Sequence, residues 1–151
     1  MGRAPLTVLP ALAGVDVLGI ETAPFIYFVE QHPKYIDRMR SIFQQVNQGL
    51  PQVITSVITL TEVLVMPIEK DQERYQREYR AMLLRTKAIT IVPVSVAIAE
   101  QAAHLRAKYR LRTPDAIHLA TALALNRDAF LTNDLALKRV TELKILVLDE
   151  L

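Results

Sequence analysis

Four acidic residues stand just after, or at the start of, short elements that the apolar pattern of this sequence predicts. Glu21 directly follows the apolar run VDVLGI, and Asp134 follows the run DAFLT. Glu62 lies about two turns into the segment after a second apolar run, and Asp115 opens the segment before DAFLT. Carboxylates gathered at one end of a sheet repel each other unless a cation joins them. Such oxygen ligands suit Mg²⁺ or Mn²⁺, and a site of this type activates water for phosphodiester hydrolysis.

Each of these acids also has a purely structural interpretation. Glu21 is compatible with a solvated first-turn residue that the helix dipole favours, and Asp115 with the same role in a later helix. Glu62 completes the pattern Thr59-x-x-Glu62, which matches a helix capping box. Asp134 is compatible with a turn or cap residue. Taken singly, none of the four is decisive, and it is their joint placement that favours a metal site.

The elements that must position these acids alternate between strands and helices along the whole chain. Apolar, β-branched runs predict strands at 15–20, 51–56, 88–94, 128–132 and 143–149. Helical periodicity predicts helices at 22–31, 33–49, 58–67, 69–87, 95–110 and 113–126. This alternation predicts an α/β fold with a parallel sheet of about five strands, flanked by helices on both faces. Ligands of such folds bind at the carboxyl ends of the strands.

Several helix boundaries carry explicit signals. Pro24 falls in the first turn of its helix, where proline is tolerated, whereas Pro67 is expected to end the helix that contains Glu62. Ser95 is a plausible N-cap. Thr113 is expected to cap the helix that Pro114 begins.

Composition limits the possible chemistry. A chain of 151 residues fits one domain, predicted over residues 14–151, with residues 1–13 as an N-terminal extension. The absence of cysteine excludes disulfides, thiolate catalysis and cysteine-type zinc sites, and it suits a reducing cytoplasm. The net charge of +2 neither requires nor excludes nucleic acid as a partner. No uncharged apolar stretch is long enough to predict a membrane span.

Basic residues cluster just upstream of Asp115, in the segment HLRAKYRLRTPD. They are compatible with a solvated helix end or with contacts to an RNA backbone, which would make binding salt-dependent. On the second interpretation, Arg110 and Arg112 are candidate substrate-binding residues. His118 shares a helix face with Asp115, which suggests a metal pair, but its segment is apolar nearly all round and favours a hydrogen-bonded packing histidine.

The segments ETAPFIYFVE, TSVITLTEVL, TPDAIHLATAL and FLTNDLALK resemble, in order and spacing, the four motifs of PIN-domain nucleases. The closest type is the VapC toxin of type II toxin–antitoxin pairs, and the resemblance covers residues 15–148. It implies a Mg²⁺- or Mn²⁺-dependent endoribonuclease that hydrolyses RNA phosphodiesters by a metal-activated water. It also implies a homodimer and a VapB-like antitoxin whose tail occupies the site. The expected location, from the absence of cysteine, is the cytoplasm.

The resemblance also assigns roles position by position. Glu62, Asp115 and Asp134 match the second, third and fourth acidic positions, which hold the metal directly or through water. Thr132 and Asn133 match the small polar residues that accompany the last acid, and both are candidate substrate-binding residues. For Asn133, the alternative is that it supports a metal ligand instead of touching the substrate. These assignments make the acids both metal ligands and catalytic residues.

Glu21 matches the first acidic position, but the family there usually has Asp-Thr-Asn or Asp-Thr-Ala, and this chain has Glu-Thr-Ala. Glutamate keeps the charge and adds one methylene, and both octahedral coordination of Mg²⁺ and catalytic positioning tolerate little displacement. Reduced activity and a preference for Mn²⁺ are two expected consequences. A third is an alternative function, a catalytically weakened PIN-fold protein that still binds RNA or antitoxin.

Overall fold

The computed structural model describes residues 9–125 and 128–151. The strands are β1 (Val17–Ile20), β2 (Gln52–Ser56), β3 (Ile89–Val92), β4 (Ala129–Thr132) and β5 (Ile145–Val147). The α-helices are α1 (Thr22–Val29), α2 (Ile36–Asn47), α3 (Val57–Glu69), α4 (Glu73–Arg85), α5 (Val96–Tyr109) and α6 (Thr113–Leu125). Short 3₁₀ helices cover Pro10–Leu12, Leu135–Arg139 and Leu148–Glu150.

The five strands form one parallel sheet in the order β3-β2-β1-β4-β5. The predicted α/β fold is therefore confirmed. The central strand β1 lies between β2 and β4, so the carboxyl ends of these three strands lie side by side. The residues that follow them, including Glu21 after β1 and Asp134 after β4, are brought to the same edge of the sheet.

Side chains from alternate strand positions enter two separate cores, one on each face of the sheet. Leu18 and Leu131 pack with buried residues of α1, α2 and α4. Ile54 and Phe130 pack with buried residues of α5 and α6 on the opposite face. Burial of both faces explains why the strands are apolar almost throughout instead of alternating with polar residues.

Gly19 allows α6 to approach the central strand closely. A β-carbon at this position would lie 2.9 Å from Ala122 Cβ and 3.2 Å from Phe130 Cδ2. The contact with Ala122 is shorter than real β-carbons adopt, so only glycine fits here without a shift of neighbouring atoms. The close approach holds α6, which carries Asp115, against β1.

The opposite end of the sheet is fixed by Asp128. Its Oδ2 accepts hydrogen bonds from the backbone N–H groups of Asp16 and Val17, each at 3.0 Å. These bonds join the start of β1 to the start of β4. They also place Asp16 at the end of β1 away from Glu21.

The predicted boundary between the third and fourth helices is wrong. Pro67 lies inside α3, which continues to Glu69 although the missing N–H of this proline removes one helical hydrogen bond. The helix predicted from residue 69 begins instead at Glu73. The chain turns between α3 and α4 at Asp71, which adopts a left-handed conformation with φ of 52°.

The other two helix starts follow the sequence signals more closely. Ser95 caps α5, since its Oγ accepts a hydrogen bond from Ile98 N–H at 3.1 Å. Thr113 is already the first residue of α6, and the carbonyl of Arg112 accepts the first helical hydrogen bond, from Ala116 N–H at 3.1 Å. The cap therefore lies one residue earlier than predicted. Asn126, the predicted last residue of this helix, lies outside the described residues.

The last part of the predicted N-terminal extension contacts the domain. Leu12 is buried in the first core, and Leu9 N–H donates to Gln45 Oε1 at 2.9 Å. Residues 1–8 lie outside the described residues. Within the described ranges, none of the helices has the length and apolar character needed to cross a membrane.

We expect Gly19→Ala to lower the free energy of unfolding by about 1–3 kcal/mol, because the added methyl group overpacks the contact with Ala122. Chemical denaturation of the single variant and of Gly19→Ala/Ala122→Gly measures this. The second glycine removes the clashing methyl group, so the double variant should recover part of the loss despite the cost of glycine in a helix. Strictly additive losses would contradict the proposed contact.

Candidate active site

The four acids singled out in the sequence line a single cavity of about 220 Å³. Glu21 follows β1, Glu62 lies in α3, Asp115 lies in the first turn of α6, and Asp134 follows β4. The remaining lining residues are Thr22, Ala23, Ile26, Arg112 and His118. The structure thus brings the four carboxylates together at the carboxyl edge of the sheet, from positions far apart in the sequence.

Glu21 is buried, with 8% of its surface exposed. Its Oε1 accepts hydrogen bonds from Thr132 Oγ1 at 2.5 Å and from Asn133 N–H at 3.2 Å. It immediately precedes α1, but its side chain makes no capping hydrogen bond there. The interpretation of Glu21 as a solvated first-turn acid is therefore wrong. Burial raises the pKa of this carboxyl, against the opposing effect of its two hydrogen bonds.

Thr132 connects the first acid to the last. Its hydroxyl donates to Glu21 and accepts from Asp134 N–H at 2.9 Å. Asp134 in turn accepts from Ala136 N–H at 3.0 Å and caps the following 3₁₀ helix, as its structural interpretation predicted. Thr132 is fully buried, so the structure does not support the predicted contact between its side chain and a substrate.

Asn133 uses its side-chain amide to join neighbouring segments. Its Nδ2 donates to Tyr27 Oη at 3.4 Å, and its Oδ1 accepts from Asp149 N–H at 3.1 Å. Tyr27 also stacks on Tyr35, with ring centroids 4.6 Å apart. Asn133 thus connects the turn after β4 to α1 and to the C-terminal 3₁₀ helix. Its backbone N–H donates to Glu21 from the same turn.

Glu62 receives two hydrogen bonds on one oxygen. Its Oε1 accepts from Thr22 Oγ1 at 2.7 Å and from His118 Nε2 at 2.8 Å. The hydrogen bond from His118 is the main cause that lowers the pKa of this carboxyl, and the bond from Thr22 contributes further. Glu62 is therefore held as a carboxylate at the wall of the cavity.

The capping-box interpretation of Glu62 is wrong. The N-cap of α3 is Ser56, whose Oγ accepts from Ile58 N–H at 3.3 Å. Thr59 lies inside the helix, fully buried, and its hydroxyl bonds to Thr55 Oγ1 at 2.7 Å. The Thr-x-x-Glu pattern therefore falls in the helix interior instead of at its start.

His118 was predicted to be a packing histidine, and its side chain is indeed only 3% exposed. It nevertheless lines the cavity and bonds to Glu62, a link between two helices that the sequence did not indicate. The only available signal was its position three residues after Asp115 on the same face of α6.

Asp115 is paired with a cation of its own chain. Arg112 Nε lies 3.2 Å from Asp115 Oδ2, with side-chain exposures of 80% and 15%. The hydrogen bond to Asp115 raises the pKa of Arg112, and the charges of Asp134 and Glu62 add to this effect. Arg110, the other predicted substrate-binding arginine, lies outside this cavity and lines a separate depression.

The donor set fits a hard divalent cation in its chemistry, because four carboxylates and no sulfur ligand surround one small cavity. Within residues 9–125 and 128–151, no three acidic or histidine side chains lie close enough together to hold a metal ion. Donors of the protein instead engage these carboxylates separately. Binding of one cation by three of these residues therefore requires their carboxylates to move closer together than they lie here.

We expect Glu21→Gln to raise the melting temperature in the absence of divalent ions, and more so at pH 7 than at pH 4. The raised pKa means that ionised Glu21 destabilises the folded state, at a cost absent below the unfolded-state pKa and complete once pH exceeds the folded-state pKa. Glutamine removes this cost and still accepts both hydrogen bonds. Thermal unfolding in EDTA at both pH values measures the effect, and equal shifts at the two values would contradict it.

Comparisons with known proteins agree with this architecture. Among proteins of curated function, no sequence matches the chain. Its fold is similar to a chain of the VapBC2 complex from Rickettsia felis bound to a promoter DNA fragment, with a TM-score of 0.71 and 19% identity, covering 87% of this chain and 98% of that one. It is also similar to a chain of a toxin–antitoxin complex from Klebsiella pneumoniae, with a TM-score of 0.65 and 25% identity over 87% and 97% of the two chains.

A third similar structure is VapC20 of Mycobacterium tuberculosis, a toxin that cleaves the sarcin–ricin loop. Its TM-score is 0.63 at 15% identity, over 85% of this chain and 98% of VapC20. The family model described as "PIN domain" matches residues 20–143, a segment that begins at the last residue of β1 and contains all four acids of the cavity. The chain belongs to the PIN domain family.

Proposed function

We propose that this protein is a metal-dependent endoribonuclease, the toxin of a type II toxin–antitoxin pair. The observation that carries the proposal is the convergence of Glu21, Glu62, Asp115 and Asp134 on one cavity. Membership of the PIN family supports a nuclease, and the similarity in fold to VapC20, an RNA-cleaving toxin, supports RNA as the substrate.

In this proposal the four acids hold Mg²⁺ or Mn²⁺, directly or through water. A divalent cation at such a site supplies water activation and neutralises charge that develops on the phosphate. The protein supplies the positions of the ligands: Thr132 and Asn133 hold Glu21, and His118 holds Glu62. The small, partly enclosed cavity orients the phosphodiester against these groups.

Arg112 is the residue that we propose to contact the RNA backbone. It lines the acidic cavity but is largely exposed, so its guanidinium is accessible to a phosphate beside the four acids. Arg106 and Arg110, which precede Arg112 in the sequence, line a second depression and add positive charge to the surface. Basic side chains beside an acidic metal site resolve the problem that a polyanion must approach a cluster of carboxylates.

A second candidate function is the weakened PIN-fold protein that binds RNA or antitoxin without efficient cleavage. The observation that favours it is the burial of Glu21 against Thr132 and Asn133, which keeps this acid engaged. On this alternative, the longer side chain of glutamate is committed to β4 and contributes little to cation binding.

An antitoxin is the partner that we propose, because two of the similar structures are toxin–antitoxin complexes. A groove of about 490 Å³ lies between α1, α2 and α4 and is lined by apolar side chains that include Phe28, Phe43 and Met82. We propose that this groove receives the apolar face of an amphipathic antitoxin helix. A short neighbouring reading frame for a DNA-binding antitoxin would support this choice of partner.

The homodimer stays a proposal that rests on the family resemblance.

We expect the wild-type protein to cleave structured RNA with Mg²⁺ or Mn²⁺, and Asp115→Asn to lower the rate more than about 100-fold, because one cation ligand loses its charge. Asp37→Asn is the matched control, since Asp37 is an exposed acid of α2 outside the cavity. Initial rates on gels, with and without EDTA, provide the measurement.

Glu21→Asp separates the two candidate functions in the same assay. Cleavage by the wild type that disappears in Asp115→Asn supports the nuclease. If the wild type is inactive with both metals and Glu21→Asp restores cleavage, the weakened protein is the correct function. Inactivity of both would oppose nuclease function altogether.

We also expect Arg112→Ala to weaken RNA binding and to reduce the slope of log K against log salt concentration by about 0.7, the value for one phosphate contact on a single strand. Fluorescence anisotropy in EDTA avoids cleavage during the titration. Arg77→Ala is the control, because Arg77 is an exposed arginine of α4 that pairs with Glu73. Equal slopes for wild type and Arg112→Ala would exclude the phosphate contact.

A further inference from the structure

His118 occupies an unusual position, as a buried histidine bonded to an acid of the cavity. We infer that His118, together with Thr22, is a positioning residue that holds Glu62 by Oε1 and leaves Oε2 for a cation. The inference rests on the proposed function for the part that concerns a cation, and on the geometry of the protein alone for the hydrogen bonds.

Three helices meet on this one oxygen atom. His118 Nε2 from α6 lies 2.8 Å from Glu62 Oε1 in α3, and Thr22 Oγ1 from α1 lies 2.7 Å from the same oxygen. The two donor atoms are themselves 3.3 Å apart. The triangle of short distances links the first turn of α1 and the first turns of α6 to the middle of α3.

The direction of these bonds follows from the chemistry of the partners. An ionised carboxylate only accepts hydrogen bonds, so both Thr22 Oγ1 and His118 Nε2 carry the proton that they donate to Glu62. The other ring nitrogen, Nδ1, is buried and has no hydrogen-bond partner among the described residues. An N–H group at Nδ1 would be stranded there, whereas a bare lone pair costs less, so the geometry favours the tautomer protonated at Nε2.

The same geometry makes His118 a poor cation ligand. Its Nε2 is already directed at Glu62, and its Nδ1 is buried in a helix whose neighbours Ala116, Leu119 and Ala120 are fully buried. Imidazole nitrogen is also not the ligand that Mg²⁺ prefers. The geometry therefore does not favour His118 and Asp115 as a pair of metal ligands. It favours a histidine that acts through Glu62.

Glu62 needs such support because of its surroundings. Its side chain is 38% exposed and has three rotatable bonds, so without partners it would sample several rotamers at the cavity wall. Both hydrogen bonds end on Oε1, which fixes the carboxylate plane. Groups that orient a metal ligand in this way typically change metal affinity about 10–100-fold when they are removed.

The test uses two variants of His118 that differ in reach. The amide nitrogen of His118→Gln can occupy the place of Nε2 and donate to Glu62, whereas the amide of His118→Asn lies near the place of Nδ1 and falls short. Thr22→Val and Thr22→Ser form a second pair, in case a change at buried His118 prevents folding. Circular dichroism and thermal unfolding in EDTA identify which variants are folded.

Binding of Mn²⁺ to the metal-free protein is measured by electron paramagnetic resonance, without RNA. We expect His118→Asn to weaken binding about 10-fold or more and His118→Gln to stay near wild type. Thr22→Val should weaken it about 3-fold, and Thr22→Ser should not. Unchanged affinity in folded His118→Asn or Thr22→Val would overturn the inference. Equal losses in His118→Asn and His118→Gln, with both folded, would overturn it as well.

A measurement on metal-free protein separates this inference from the proposed function. Long-range ¹H–¹⁵N correlation of the His118 ring should show the proton on Nε2, and Glu62→Gln should shift that resonance. A wild type that binds no Mn²⁺ but shows this signature would refute the metal site while retaining the hydrogen-bond assignment. A ring protonated at Nδ1 instead would overturn the positioning role, whatever the metal does.

Discussion

Repulsion among carboxylates at one edge of a parallel sheet is the constraint on which this structure depends. The protein meets it by assigning a separate side-chain donor to three of the four acids: Thr132 to Glu21, His118 to Glu62, and Arg112 to Asp115. These donors come from the end of β4 and from the start of α6. In the proposed function, one divalent cation would offset together the charges that these donors offset separately.

The fold supplies the proximity that creates this repulsion. β1 lies at the centre of the sheet, and its neighbours β2 and β4 each lead into an element that carries an acid. Because Gly19 lets Ala122 approach the strand, α6 lies directly on β1, and its first turns face the same cavity. Asp128 connects the starts of β1 and β4 by hydrogen bonds to the backbone of Asp16 and Val17. The opposite ends of these strands are connected by the bond between Thr132 and Glu21.

The sequence predicted the alternation of strands and helices and the four acids, because apolar periodicity and strand ends are local signals. It failed where the outcome depends on competition between residues. Thr59-x-x-Glu62 matches a capping box, but Ser56 precedes it and takes the cap, which places Glu62 inside the helix. Nor could any local pattern reveal that Thr132, 111 residues away, bonds to Glu21. The bond between His118 and Glu62 could not be predicted either, because the two residues are also far apart in the sequence.

The extra methylene of Glu21 acquires a meaning from these contacts. The position directly after β1 places the backbone close to β4, as the bond from Glu21 N–H to the carbonyl of Leu131 shows. The longer side chain then reaches both Thr132 Oγ1 and Asn133 N–H, and Thr132 passes the constraint on to Asp134. Glutamate here is therefore part of a connected turn and not simply an aspartate made too long. Its hydrogen bonds, both on Oε1, hold the first and last acids in a fixed relation through Thr132.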